Sequence, residues 1–471
     1  MKPDAILALS CAQLAAAIRA RRVSCVAAME AALAAAKAIQ PALNCFLRTD
    51  DAMALAGARL ADQEAARGQL RGPLHGVPMA HKDMYYRKGV ASSCGSKITL
   101  DRPAPETATA LERLDSAGAI QFGVLNMAEF AFGPTGHNWH HGHCRNPWDP
   151  ARITGGSSSG SGVSVAARAN FAALGSDTGG SIRLPAAFCG TSGIKPTYGR
   201  VSRAGAMPLS FSLDTVGPLT RTVEDCALIL QAIAGPDARD PTADSRAVPD
   251  YMAQLARPVA GLRIGRPKQY FYEDCDPEID AAMERSLETF RSLGAVVVDI
   301  DLPDIAPWNA AFSMIISSES SSYHGNWLRT RPQDYSEQVR GRLEQGLAFA
   351  AASYLDALRL RGIALRQFCE QVFSKVDILH APVVGFQTPT IEETDLGGSS
   401  AAPAMLARTT RLTRPINFLG IPAVSANAGF TKAGMPIGMQ LAGRPFDDAT
   451  VLRAGHAFQQ ATDWHARAPG L

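Results

Sequence analysis

Phe171-Ala172-Ala173-Leu174-Gly175-Ser176-Asp177-Thr178-Gly179-Gly180-Ser181-Ile182-Arg183-Leu184-Pro185 is the stretch on which the reading of this chain turns. Its apolar start, residues 171–175, predicts a buried strand. The strand runs directly into Gly-Gly-Ser. Glycines there let successive backbone N–H groups point into one concavity, which suits a developing oxyanion. Ser181 beside them is placed as a nucleophile. A tight turn with a capping serine has the same local signature, so the neighbouring segments must discriminate.

Two segments upstream do so. The first is Thr154-Gly155-Gly156-Ser157-Ser158-Ser159-Gly160-Ser161-Gly162. It is not a flexible linker, because Val163, Val165, Ala166 and Ala167 follow at once and predict an ordered helix. Glycines in such a loop let backbone come close to a reacting centre. The second is Gly76-Val77-Pro78-Met79-Ala80-His81-Lys82-Asp83, where an apolar strand ends in lysine. A surface lysine is the bland reading of that position. Buried instead, its ammonium is desolvated, its pKa falls, and the neutral amine can act as a base.

Around these segments the pattern is α/β. Strands are predicted at 77–80, 119–125 and 171–175, with a helix from about 106 to 118. Residues 1–70 are helical. Ser10 and Gln13 form a capping-box pattern, Ser24 caps a second helix ending before Pro41, and a third runs over 51–67, closed by Gly68. Residues 236–260, rich in Pro and Asp, read as a surface connection. Strands at 261–265 and 296–300 flank a helix at 277–293. Residues 304–375 read as mainly helical, 376–379 and 422–426 as buried strands, and 447–464 as a closing helix. The expected architecture is one large α/β domain over 1–471, a mixed sheet covered by helices. Within it, 1–70 is an N-terminal helical segment and 71–235 the catalytic core. Residues 236–400 are a variable region shaping the substrate pocket, and 401–471 close the core.

Composition excludes little but is consistent. Of 471 residues, 46% are hydrophobic and 19% charged, an ordinary globular balance. Forty-six basic against 44 acidic residues give a net charge of +2, which calls for neither nucleic acid nor an anionic membrane as partner. Nine scattered cysteines without a C-x-x-C pair read as reduced thiols in a cytoplasmic protein. The start is apolar from Ala5 to Ile18 but is interrupted by Gln13, which argues against a cleaved signal. No window is expected to reach a membrane span of about 20 apolar residues.

Together the three segments resemble the amidase signature family. The resemblance extends through Pro185-Ala186-Ala187-Phe188-Cys189-Gly190, Arg145-Asn146-Pro147-Trp148, Gly193-Ile194-Lys195-Pro196-Thr197 and Ser212-Leu213-Asp214-Thr215-Val216-Gly217-Pro218. A weaker part runs through Asn417-Phe418-Leu419-Gly420-Ile421-Pro422-Ala423 and Pro436-Ile437-Gly438-Met439-Gln440. The interval from Ser157 to Ser181 agrees with the family spacing. The resemblance implies the amidase signature fold and a Ser-Ser-Lys triad. Ser181 would be the nucleophile, Ser157 (in a cis peptide) the bridge, and Lys82 the neutral base. The N–H groups of Thr178, Gly179, Gly180 and Ser181 would form the oxyanion hole. Asp177, Arg183 and Ser158 would brace the loops, with Asp83 similar and Lys195 structural. Phe130, Phe132 and Gly156 are expected at the substrate. Ser159 departs from the glycine usual at its position.

The chemistry is coherent. An amide carbonyl is a poor electrophile, so the nucleophile needs a base and the oxyanion needs donors. The leaving amine needs a proton, which a Lys–Ser relay can return to it. No cofactor or metal is called for. The implied function is hydrolysis of a small-molecule carboxylic amide, with esters or carbamates as side substrates and a homodimer as the assembly. Whether the amide is aliphatic, aryl or an anilide is not legible. Two alternatives stand. Within the family, the glutaminase subunit of the tRNA-dependent amidotransferase works with partner subunits, and Arg361 lies near where such enzymes hold the substrate carboxylate. Outside it, His137, His140, His141, His143 and Cys144 could make a metal-binding loop. A nucleotide phosphate loop is excluded, since no G-x-x-x-x-G-K-[ST] occurs.

Overall fold

The computed structural model describes residues 1–470. Among them, eleven strands form one mixed sheet: β1 (Phe46–Thr49), β2 (Pro78–Lys82), β3 (Ile120–Leu125), β4 (Ala172–Asp177), β5 (Ser192–Lys195), β6 (Thr215–Thr220), β7 (Arg263–Pro267), β8 (Val296–Ile300), β9 (Ile378–Pro382), β10 (Ala423–Phe430) and β11 (Pro436–Gly443). Their order across the sheet is β1-β3-β2-β4-β6-β5-β10-β11-β9-β7-β8. Helices cover it, and the protein is a single large α/β domain of the expected class.

The middle of the sheet fixes the site. β2 runs parallel to β4, with Ala80 beside Ala173 and His81 beside Leu174. Parallel neighbours end on the same side, so Lys82 and the Ser176–Ser181 segment emerge together. The C-terminal hairpin β10–β11 does not merely close the core. It inserts between β5 and β9, pairing Ala423 with Lys195 and Gly443 with Ile378. Residues from the middle and the C-terminal part of the sequence therefore meet behind the Asp177–Arg183 segment.

Several boundaries move. The capping box at Ser10 and the Ser24 cap form as expected. The second of these helices, Cys25–Leu43, runs past Pro41 and closes at Asn44, which takes a left-handed conformation (φ 48°). Pro41 lies in the last turn, where it removes one hydrogen bond without forcing termination. By length and composition this helix could cross a membrane, contrary to the expectation that no segment would. Its alanines supply the hydropathy, and in the fold Ala28, Met29, Ala32 and Ala36 are buried in the core. The helix expected from 106 is Thr109–Ser116.

Strands β1, β5, β6 and β11 are not marked by the sequence pattern. They are short, or carry glycine and proline that weaken intrinsic strand preference. Pairing decides them: β6 matches β4 from Ala172 opposite Thr220 to Asp177 opposite Thr215.

Candidate active site

Lys82, the last residue of β2, has no exposed surface. Its Nζ lies 2.6 Å from Ser157 Oγ and 2.9 Å from Ser176 Oγ. Strand alternation turns His81 and Asp83 to the opposite face. Burial pulls the Lys82 pKa down to about 7, against the opposing pull of Asp214, Asp177 and Cys94. A substantial fraction of the amine is therefore neutral near pH 7, as a base requires.

Ser157 is fully buried at a cis Gly156–Ser157 peptide. The preceding glycine is required by space. A Cβ at Gly156 would stand 2.5 Å from Gly133 O, and its N–H donates to Pro134 O at 2.7 Å. Ser158 braces the end of β4: its Oγ lies 3.3 Å from both the N and the O of Ser176. Ser159, in the usual glycine position, starts the helix Ser159–Ala166 and donates from Oγ to Asn126 O at 3.3 Å.

The Gly179-Gly180-Ser181 loop hangs on Asp177. Its carboxylate accepts from Gly180 N at 2.8 Å, Ile182 N at 3.1 Å and Arg183 N at 3.3 Å. It also accepts from the Arg183 guanidinium and from Asn417 Nδ2 at 2.8 Å. Burial works to raise its pKa, but the Arg183 charge and hydrogen bonds, with Lys195 and Asn417, outweigh it and hold it at about 2. Arg183 spends its remaining donors on Gln440 Oε1 (2.7 Å), Thr413 O (3.1 Å) and Asn417 Oδ1 (2.6 Å). One of the four anticipated oxyanion donors is thus already taken: the Gly180 N–H is a tie within the loop. Ser181 is 8% exposed, whereas Lys82 and Ser157 are sealed. The structure brings Lys82 and Ser157 together. Among the described residues, no hydrogen bond joins Ser157 to Ser181.

Other anticipated residues take structural positions. Lys195 is buried and donates to Pro196 O at 2.9 Å. Asp83 accepts from Ser93 N at 2.9 Å on the far face of β2. Phe130 does not line open space. It is 1% exposed and packed against His324, Trp327 and Tyr335. Phe132 lies beneath the Arg342 guanidinium, 3.5 Å from its ring centre. Arg361 donates to Phe418 O at 2.6 Å and to Ser212 O.

The metal reading of the 137–144 loop is overturned. Its rings point to separate partners: His137 to Thr394, His140 to Glu129 and His143 to Asp395. Among the described residues, no group of three or more His, Cys, Asp or Glu is placed to hold a metal. The loop is instead a strap between Glu129 and the Thr394–Asp395 turn, a packing that the clustering of histidines in sequence could not reveal.

Sequence reasoning gave no role to Ser176, Thr413, Asn417 or Gln440. Ser176 had a usable signal, since alternation along β4 puts it on a defined face near Lys82. The other three lie more than two hundred residues away: Asn417 and Gln440 had only their place in the weaker resemblance, and Thr413 had no signal.

A buried lysine of lowered pKa lies beside two serine hydroxyls, next to a partly exposed serine on a glycine loop, an arrangement with the groups that activating a serine hydroxyl requires. The Amidase family profile matches residues 27–452. The chain belongs to the amidase family and is an enzyme of carbon–nitrogen amide bonds. It is 41% identical to a glutamyl-tRNA(Gln) amidotransferase subunit from Geobacter metallireducens, over 96% of this chain and 97% of that protein. Among solved structures, one chain comes from a complex described as vestigial and as revealing the evolutionary origins of an s-triazine catabolic enzyme. It superposes with a TM-score of 0.89 at 37% identity, covering 96% of this chain and 98% of that one. A crystal structure of an amidase superposes with a TM-score of 0.85 at 34% identity, covering 96% and 99%.

Proposed function

We propose that this protein hydrolyses a carboxylic amide through an acyl-enzyme on Ser181. The contact that carries the reading is Lys82 Nζ to Ser157 Oγ at 2.6 Å, made by a fully buried lysine. Neutral Lys82 takes a proton from Ser157, which takes one from Ser181 as its Oγ adds to the carbonyl carbon. The carbonyl π electrons move to oxygen, which the N–H groups of Thr178, Gly179 and Ser181 hold. Collapse of the tetrahedral intermediate breaks the C–N bond. The proton returns through Ser157 to the leaving nitrogen. Water repeats the sequence and frees the acid and Ser181. The missing Ser157–Ser181 bond closes when substrate presses Ser181 inward, since catalytic hydrogen bonds often tighten only in the complex. Fluorophosphonate treatment followed by peptide mapping tests this. One adduct on Ser181, lost in Lys82→Ala, is the expected result. Labels spread over surface serines, or none, would sink it.

A second reading is favoured by the end-to-end 41% identity to an amidotransferase subunit. In it the chain releases ammonia from an amide side chain inside a complex with partner subunits. It predicts that the isolated chain releases little ammonia from glutamine and that added partners restore the rate. The engagement of Arg361 with two backbone carbonyls counts against a free carboxylate clamp at that residue. A robust amidase rate by the isolated chain on other amides would decide for the first reading.

A further inference from the structure

The face of β2 away from Lys82 carries groups that catalysis does not use. A cavity of about 590 Å³ lies there, bounded by β1, β2, β3, the first turn of the helix Asp51–Ala66 and the loop at Val90, Ala91 and Ser92. His81, Asp83 and Gln121 stand on its wall. His81 and Gln121 are 5% and 8% exposed, and His81 Nδ1 lies 3.1 Å from Gln121 Oε1. Gln121 Nε2 has no hydrogen-bond partner. Among the described residues, His81 Nε2 makes no hydrogen bond either.

Burial first, and then the charge of Arg87, push the His81 pKa down to about 3, so the ring is neutral. An amide oxygen only accepts, so Nδ1 carries the hydrogen and Nε2 is left as an acceptor. The hydrogen-bonded pair thus shows one free donor and one free acceptor. Turning the Gln121 amide over exchanges the two roles and keeps the pattern. The charges bordering the cavity are engaged elsewhere. Arg87 holds Asp115 at 2.8 Å, and Asp51 holds Lys37 at 2.5 Å. Asp50 accepts from Met53 N at 3.0 Å, and Asp83 from Ser93 N at 2.9 Å. Arg48 is exposed. Val90, Ala91, Phe122 and Val124 supply apolar wall.

A single water could satisfy Gln121, but its share of volume is about 30 Å³, a small part of this space. The volume is that of a small-molecule site, and engaged charges with an apolar wall favour an uncharged occupant. We propose that the cavity is a second binding site, for a small uncharged cyclic amide. The ligand carbonyl accepts from Gln121 Nε2, the N–H on the same edge donates to His81 Nε2, and the ring packs on the apolar wall. The walls continue into the catalytic segments. His81 precedes Lys82, and Tyr85, which lines the cavity, donates to Gly175 O at 2.5 Å, next to Ser176.

Calorimetric titration of the full chain with the bicyclic lactam carbostyril tests this, beside N-methylcarbostyril and coumarin. The three share nearly the same ring and size. The second covers the N–H with a methyl group, and the third replaces it with oxygen. Carbostyril is expected to bind about tenfold or more tightly than either, because each control leaves a buried polar atom unpaired. In Gln121→Leu the affinity for carbostyril should fall by about tenfold or more, whereas in Ser181→Ala it is retained, which separates this cavity from the catalytic side. Equal affinity for the three ligands, no binding of carbostyril, unchanged affinity in Gln121→Leu, or loss in Ser181→Ala would overturn the site. The ligand comparison on the native chain needs no substitution, so it decides alone where Gln121→Leu does not fold. None of these readouts needs turnover, so a Ser181 that takes no fluorophosphonate would sink the amidase reading and leave this one to its own result.

Discussion

The Asp177 carboxylate and the Arg183 guanidinium meet through two hydrogen bonds of 3.1 Å, and neither residue has any exposed surface. The pair sits either side of the Gly179-Gly180-Ser181 turn and fixes its shape. Removing one member leaves the other as an unpaired buried charge, a cost of about 3–5 kcal/mol. Asp177→Asn is therefore expected to lower the denaturation midpoint strongly and to stop Ser181 labelling. Chemical unfolding measured beside the labelling rate checks both, and a variant of native stability would contradict the clamp.

The base sets a pH dependence. With the folded Lys82 pKa lowered to about 7, the neutral amine grows as pH rises through 7. The rate of Ser181 labelling is expected to rise about tenfold per unit below that point and to level above it. Stability follows the same proton. The folded pKa lies below the ordinary lysine value of 10.5, so between about 7 and 10.5 the unfolded chain binds more protons. Stability on this account rises with pH across that window and is lost as pH falls toward 7. In Lys82→Met the rise should flatten, which unfolding curves at pH 7 and 9 would reveal.

Ser176 is expected to tune the base rather than react. Its Oγ holds Lys82 at 2.9 Å, the second of two hydroxyl contacts. Ser176→Ala should lower kcat by about tenfold to a hundredfold with KM little changed, below the full effect of losing a base. A KM change of the same size would assign Ser176 to substrate binding instead.

Gly180 tests how tightly the loop is held from behind. It has φ +127°, and a Cβ there would stand 2.4 Å from Thr413 Oγ1. Gly180→Ala should cost about 1–3 kcal/mol from backbone strain alone and should displace Ser181. Gly362→Ala offers the comparison, since Gly362 has no positive φ and a Cβ there meets nothing within 4 Å. Equal unfolding midpoints and labelling rates for the two variants would remove the argument.

The extent of legibility follows distance along the chain. The capping box at Ser10, the Ser24 cap and the strand ending in Lys82 depend on residues a few positions apart, and they form as the sequence implies. The strands β5, β6 and β11 do not, because a glycine- or proline-bearing segment becomes a strand only when a partner supplies its hydrogen bonds. The histidines at 137–143 looked convergent in sequence, yet their rings turn to Thr394, Glu129 and Asp395.

The sequence by itself determined the candidate groups: a lysine at a strand end, two glycine-framed serines proposed to react with it, and an Asp–Arg pair flanking one of them. Residue identity and short spacing suffice for that, because strand alternation and turn chemistry are local. Only the tertiary structure decided how those groups are held. It brought Asn417 and Gln440 across the sheet to Arg183, gave Lys82 a second hydroxyl in Ser176, and turned the Gly180 N–H into Asp177. Each of these is a contact between segments remote in sequence, set by which strands pair and by how deeply a charge is buried.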